Sequence, residues 1–205
     1  YHGSVHDVVQ ILRCMDRRRP KLALGVNILP NEFDQAFLLA HQYGAHFIQL
    51  DYVAGKYASG ALDGERYMLH RARYPSLLVL GGVWPKYYNP LPESDLAMDL
   101  REGMKRAEAV VVTGAGTGMA TPAEKILKFR NILGDYPLVI GSGLTPENAY
   151  EQLCLADGAI VGTSLKVDNC TQNPVDRQRV RDLLSVVREV RKYRESLAST
   201  DKKNL

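Results

Sequence analysis

Two glycine and hydroxyl runs in the second half of the chain have the residue types that hold an oxyanion. They are Gly141-Ser142-Gly143-Leu144-Thr145-Pro146-Glu147-Asn148 and Gly162-Thr163-Ser164-Leu165-Lys166. Glycine lets backbone amides come close to a phosphate, and a helix opening at Thr145-Pro146 points its free N–H groups and positive dipole end at the same place. Each run follows a short apolar stretch, residues 138–140 and 159–161, so each reads as a turn from a strand into a helix. Either alone reads as a tight turn with a good cap. The two in succession sit where βα barrels commonly bind phosphate, after the last two strands.

The acid–base candidates are Asp51, Lys86 and Lys166. Asp51 closes the apolar run 47–51, where a low-dielectric mouth can raise a carboxyl pKa and suit it to general base work; it reads equally as the cap of its own loop. Lys166 reads as a phosphate-reaching or catalytic amine, or as a solvated loop lysine. Lys86 lies in the aromatic, proline-stiffened loop 81–90, which suits ring stacking or packing against a neighbouring subunit. Asn27, Thr113 and Gly114 end two further apolar runs and are candidates to orient a substrate. The segment Thr113-Gly114-Ala115-Gly116-Thr117-Gly118 has the wrong glycine spacing for a dinucleotide fingerprint and reads as a lid or a backbone approach to a ligand. His2 and His6, four apart at the terminus, are a weak metal pair, and Gly-x-Ser-x-Gly is absent. No metal and no cofactor is expected.

The elements that must position these residues alternate. Apolar runs at 22–26, 47–51, 77–80, 109–113, 138–140 and 159–161 are separated by amphipathic stretches, among them a helix over 4–17 and a stripe of Val180, Leu183, Leu184, Val187 and Val190. Helix starts are signalled at Thr121-Pro122-Ala123-Glu124, Thr145-Pro146 and Asn173-Pro174. Wholly apolar strands with helices between them predict an α/β fold with a parallel sheet buried on both faces. The glycine and small polar residues after nearly every run favour a TIM-type (β/α)8 barrel, here an incomplete one with about six strands. Residues 1–196 read as one barrel domain and 197–205 as a polar tail.

Composition narrows the function classes. A chain of 205 residues with 45% hydrophobic and 24% charged residues is not disordered, and it has no apolar run of membrane-spanning length. A net charge of +3 is too small a surplus to argue for nucleic acid. Cys14, Cys154 and Cys170 are odd in number and widely spaced, which predicts free thiols and a reducing compartment, the cytoplasm or an organellar matrix or stroma.

Several segments together resemble the BtpA/SgcQ family: Gly25-Val26-Asn27-Ile28-Leu29, Val112-Thr113-Gly114, the turn 141–148, the stretch 156–166 and Asn173-Pro174-Val175-Asp176. The resemblance runs in order from about residue 5 to residue 191. It implies a (β/α)8 barrel related to phosphate-binding barrels, with links to photosystem I biogenesis and to sugar-utilisation gene clusters. It also implies that Tyr1 begins after the family's second strand. The chain departs from the family's Asp-x-His-x-Lys-His pattern after the strand at 77–80. Gly82, Trp84 and Tyr87 stand at its Asp and His positions, and Lys86 alone remains. Pro30 stands where arginine is common, and Asp51 where asparagine is common.

Two functions are expected from these features. The first is a phosphate-binding barrel acting on a sugar phosphate or nucleotide-like metabolite, by proton transfer or hydrolysis. The second is a non-catalytic assembly or stability factor that keeps the anion site and uses the loop 84–88 at a protein interface. A homo-oligomer fits either.

Overall fold

The computed structural model describes residues 4–17, 21–29 and 31–201; His2, Pro30 and residues 202–205 lie outside them. Each of the six apolar runs overlaps a parallel strand followed by a helix or a helical turn; the first strand starts only at residue 25 of the run 22–26, and the last keeps only Ala159 of the run 159–161. The chain clusters into two compact units, Tyr1–Val111 and Val112–Leu205.

In the first unit, α1 (Val5–Arg17) precedes β1 (Gly25–Asn27), α2 (Phe33–Gln42) and β2 (Phe47–Leu50). A hairpin of β3 (Lys56–Tyr57) and β4 (Gly60–Ala61) leads into α3 (Gly64–Arg73); β5 (Leu78–Gly82), α4 (Leu96–Arg106) and β6 (Ala109–Val112) follow. The parallel strands lie side by side in the order β1-β2-β5-β6, with Ile48 opposite Val79 and Leu80 opposite Ala109. Ile48, Leu50, Val79 and Val110 have no exposed surface, as expected of strands covered by helices on both faces. The antiparallel hairpin β3–β4 has no signal in the apolar pattern, because both strands are two residues long and β4 is exposed.

The hairpin does not stand alone. Ala58 donates its backbone N–H to Asn89 O at 3.1 Å, and Leu91 donates to Lys56 O at 2.9 Å. Tyr57 and Pro90 form an antiparallel bridge. The connector after β2 and the connector after β5 are therefore joined by their main chains.

The second unit contains α5 (Ala123–Leu133), β7 (Leu138–Ile140), α6 (Pro146–Leu155), β8 (Gly158–Ala159) and the long α7 (Arg177–Asp201), which carries helix through residues read from sequence as a tail. Leu138, Ile140, Ile126, Phe129 and Ala149 are fully buried between strands and helices. Thr145 and Asn148 form the reciprocal cap that opens α6. The other two helix starts are corrected. The cap of α5 is Pro122, and the Thr121 hydroxyl donates to Ser142 O at 3.2 Å rather than capping the helix. Asn173 and Pro174 belong to a turn bound to Val167, and Asp176 caps α7 by accepting from Gln178 N at 2.7 Å. Proline and asparagine suit a turn as well as a helix start, so sequence pattern could not separate the two.

Arg130 fastens the lower end of this unit. Its guanidinium donates to Leu155 O, Gly134 O, Tyr136 O and the Asp157 carboxylate, at 2.7–3.0 Å. Burial opposes the charge on Asp157, but the Leu138 N–H, Arg130 and Arg194 outweigh it and hold this carboxyl below its ordinary value. A carboxyl with a depressed folded-state pKa stabilises the fold above its unfolded value, about 3.9, and loses that contribution as pH falls through the folded value. The urea midpoint should therefore fall on acidification below about pH 4, and Asp157→Asn should flatten that acid limb. An unchanged acid limb in the variant would remove Asp157 from the effect.

Candidate functional site

The turns after β7 and β8 lie against one another. Ser164 is buried, and its hydroxyl donates to Leu144 O at 2.6 Å, which ties the second turn to the first. Ser142 is buried too; its Oγ accepts from Gly114 N at 2.8 Å, so the segment after β6 joins the same cluster. Gly118 also approaches, since a Cβ there would lie 3.5 Å from the Thr163 methyl. Gly143 has a φ of +67°, and a Cβ on it would lie 2.1 Å from Met119 O. Only glycine permits this approach of two main chains.

The roles of these residues divide once their bonds are assigned. The Gly141 N–H donates to Val112 O at 2.7 Å and belongs to the sheet. The Ser142 and Ser164 hydroxyls hold the loops together. Among the described residues, the N–H groups of Gly143, Gly162, Thr163 and Ser164 make no hydrogen bond. Gly162 is exposed and Thr163 half-buried, with the Thr163 hydroxyl 3.1 Å from that of Thr171. Unpaired amides at a surface turn are donors in need of an acceptor.

Thr113 is buried and Gly114 lies against Ala120 O, so both shape the turn rather than face solvent. Lys166 is half-buried, and its main chain is held by Thr163 O and by a bridge to Val175. Two cations near these turns were not singled out from sequence. Lys125, in the first turn of α5, donates from Nζ to Thr113 O at 2.9 Å, and burial pushes its amine below the usual lysine value. Arg179 donates to Asn169 Oδ1 at 2.7 Å and reaches Ser164 O at 3.5 Å. Lys125 stands one residue beyond a recognised helix-start motif, which was the available signal; Arg179 is one of several arginines on α7 and had none.

Asp51, Lys86 and Asn27 belong to the first unit. Asp51 directly follows β2 and accepts a 2.8 Å hydrogen bond from the Tyr88 hydroxyl. The next residue is clamped: Asn31, with a φ of 105°, donates to Tyr52 O and accepts from Tyr52 N at 3.1 and 3.2 Å. Asn27 is exposed and bonded to its neighbour on β2, through Gln49 O at 2.9 Å and the Gln49 side chain. Lys86 Nζ lies 6.0 Å from the centre of the Tyr87 ring. Trp84 is fixed at both ends, its N–H on the Tyr57 hydroxyl at 3.0 Å and its indole on Asp99 at 2.8 Å. Trp84 and Tyr87 have φ values of 48° and 68°, so the loop holds left-handed backbone at two non-glycine residues. Among the described residues no group of three His, Cys, Asp or Glu could hold a metal, and no helix is long and apolar enough to cross a membrane.

Comparison with known proteins agrees with this architecture. An uncharacterised protein of Thermococcus kodakarensis is 34% identical over 182 residues, covering 85% of this chain and 69% of its own. The photosystem I biogenesis protein BtpA of Synechocystis is 27% identical over 173 residues, 81% of this chain and 60% of its own. The crystal structure of phosphoribosyl anthranilate isomerase from Thermus thermophilus matches 87% of this chain and 79% of its own, with a TM-score of 0.61 at 15% identity. That likeness is one of fold, and it assigns the parallel βα architecture to the TIM-barrel class. The model of the BtpA family matches residues 8–189, and the chain belongs to that family.

Proposed function

We propose that the protein binds a phosphorylated small molecule, a sugar phosphate or a nucleotide-like metabolite. The unpaired amides of Gly143, Gly162, Thr163 and Ser164 take the phosphate, and Lys125 and Arg179 supply positive charge nearby. The observation that carries this reading is the bond from Ser164 Oγ to Leu144 O, which brings the two glycine turns together while their amides stay unpaired. The fold shared with a phosphoribosyl anthranilate isomerase supports it. Lys166 is the acid–base candidate on the second unit; Asp51 and Lys86 are those of the first unit, and each of the three follows the C-terminal end of its strand, where barrel enzymes place their chemistry. The reaction is a proton transfer or a hydrolysis at the bound metabolite.

Gly162 allows a clean test. A Cβ there meets nothing within 4 Å, so Gly162→Asp places a carboxylate at the amides without a steric clash. Inorganic phosphate or ribose 5-phosphate at a hundredfold excess over Kd should stabilise the protein by about 2.7 kcal/mol. In a chain of this length that is a rise in Tm of roughly 5–10 °C. The rise should vanish in Gly162→Asp. No rise across a panel of phosphorylated compounds, or an equal rise in the variant, would overturn the site.

A second reading, an assembly or stability factor that keeps the anion site, draws on Tyr87. This side chain is 71% exposed on the strained loop after β5. The two readings share the phosphate and part at this loop.

A further inference from the structure

We propose that Tyr88 is the positioning residue of Asp51: its hydroxyl, 2.8 Å from Oδ2, holds the carboxylate in one orientation and favours its ionised form. The proposal rests on the reading of Asp51 as an acid–base group and adds the residue that sets its geometry and ionisation.

The geometry favours this over simple packing. Asp51 and Tyr88 come from different connectors and meet only through the fold. The Tyr88 ring packs edge-on to Tyr52 at 5.1 Å and to Tyr57 at 5.8 Å between ring centres, so it has little freedom to leave the carboxylate. The main chain beside it is fixed from both sides. Tyr87, in left-handed backbone, precedes it, and Asn89 accepts from Ala58 N on the other connector. The residue after Asp51 is clamped by Asn31. Two rigid arms thus present one acceptor and one donor to each other. Strained backbone held in place by surrounding bonds is common where a side chain must be aimed.

The chemistry has a definite direction. Burial, and then the hydrogen bond and the charge of Asp51, push the Tyr88 phenol far above its ordinary value, so the phenol keeps its proton and acts as donor. A donor to a carboxylate stabilises the charged form. Other titratable groups around the pair are Tyr52 and Tyr57, whose phenols burial also raises, with Asp99 held by the Trp84 indole. Tyr88 donates directly to Asp51 Oδ2, so its removal should move the carboxyl.

The test is a carbon-13 NMR titration of the full chain labelled at aspartate carboxyl carbons, with the Asp51 signal assigned by its loss in Asp51→Asn. In Tyr88→Phe, which keeps the ring and its packing, the Asp51 midpoint should move to higher pH. In Tyr52→Phe it should stay in place. The reciprocal measurement is the Tyr88 phenol, which should titrate at lower pH in Asp51→Asn than in the unaltered protein. A Tyr88 that only packs would leave the Asp51 midpoint unmoved, and that result in a folded Tyr88→Phe overturns the proposal. If Tyr88→Phe fails to fold, the Tyr88 titration in Asp51→Asn decides, and an unshifted phenol overturns it. Protection by inorganic phosphate, measured on the same samples, keeps the two ideas apart. Phosphate protection without the Asp51 shift sinks the positioning role alone; the shift without protection leaves the pair standing and removes the phosphate site.

Discussion

Replacing Gly143 by alanine is expected to destabilise the protein by about 3–5 kcal/mol and to lower Tm by roughly 6–20 °C. Two independent costs add at this position. Its φ of +67° lies in the left-handed region, which costs a residue with a Cβ about 1–2 kcal/mol. The added carbon would also fall 2.1 Å from Met119 O and 2.3 Å from Ala120 N. Those atoms are main chain, so no rotamer change relieves the clash, and the segment 119–120 must shift. Chemical denaturation is the measurement; a loss of only about 1–2 kcal/mol would mean that segment 119–120 moves away freely. It follows that a substitution at Gly143 tests the fold, and that Gly162 is the better probe of anion binding.

The second large effect is expected at Gly82. Its backbone is in an ordinary region, yet a Cβ would lie 1.8 Å from Asp51 O. Gly82→Ala should cost about 3–5 kcal/mol, because β5 and the end of β2 must separate where Gly82 O accepts from Val53 N at 2.9 Å. Gly158→Ala, with nothing within 4 Å of the new carbon, should leave stability within about 0.5 kcal/mol of the parent. Urea midpoints of the two variants test the contrast, and a Gly82→Ala protein as stable as Gly158→Ala would contradict it. The position has a further meaning within the family resemblance, whose pattern carries aspartate there. An aspartate at 82 would meet the same carbonyl, so this chain has exchanged a side chain at the end of β5 for close contact with Asp51.

Much of the architecture was readable from residue order alone. The six parallel strands fall at the six apolar runs, the inner ones most closely, because strands buried on both faces have no polar alternation to obscure them. Thr145-Pro146 opens α6 as its spacing predicts, while Thr121 and Asn173 use the same residue types for a loop bond and a turn. The candidate anion site was legible because its glycines are local to two turns. What was not legible is the division of labour among them. Ser142 and Ser164 are hydroxyl residues in the right turns, but only three-dimensional neighbours show that both hydroxyls are engaged by the main chain. Tyr88 and Asp51 are 37 positions apart, and no periodicity links them. Asn31, likewise, looks like an ordinary turn residue until its two bonds to Tyr52 are seen.

The backbone bonds that join the hairpin to residues 89–91 have a consequence for access to Asp51. A segment attached only at its ends can fray in steps, but here Ala58, Lys56, Asn89 and Leu91 pair across two connectors. Lifting either one breaks the pairing of both, and carries Tyr88 off the carboxylate with it. The two connectors therefore open as one cooperative unit, and that opening parts Tyr88 from Asp51 in the same movement.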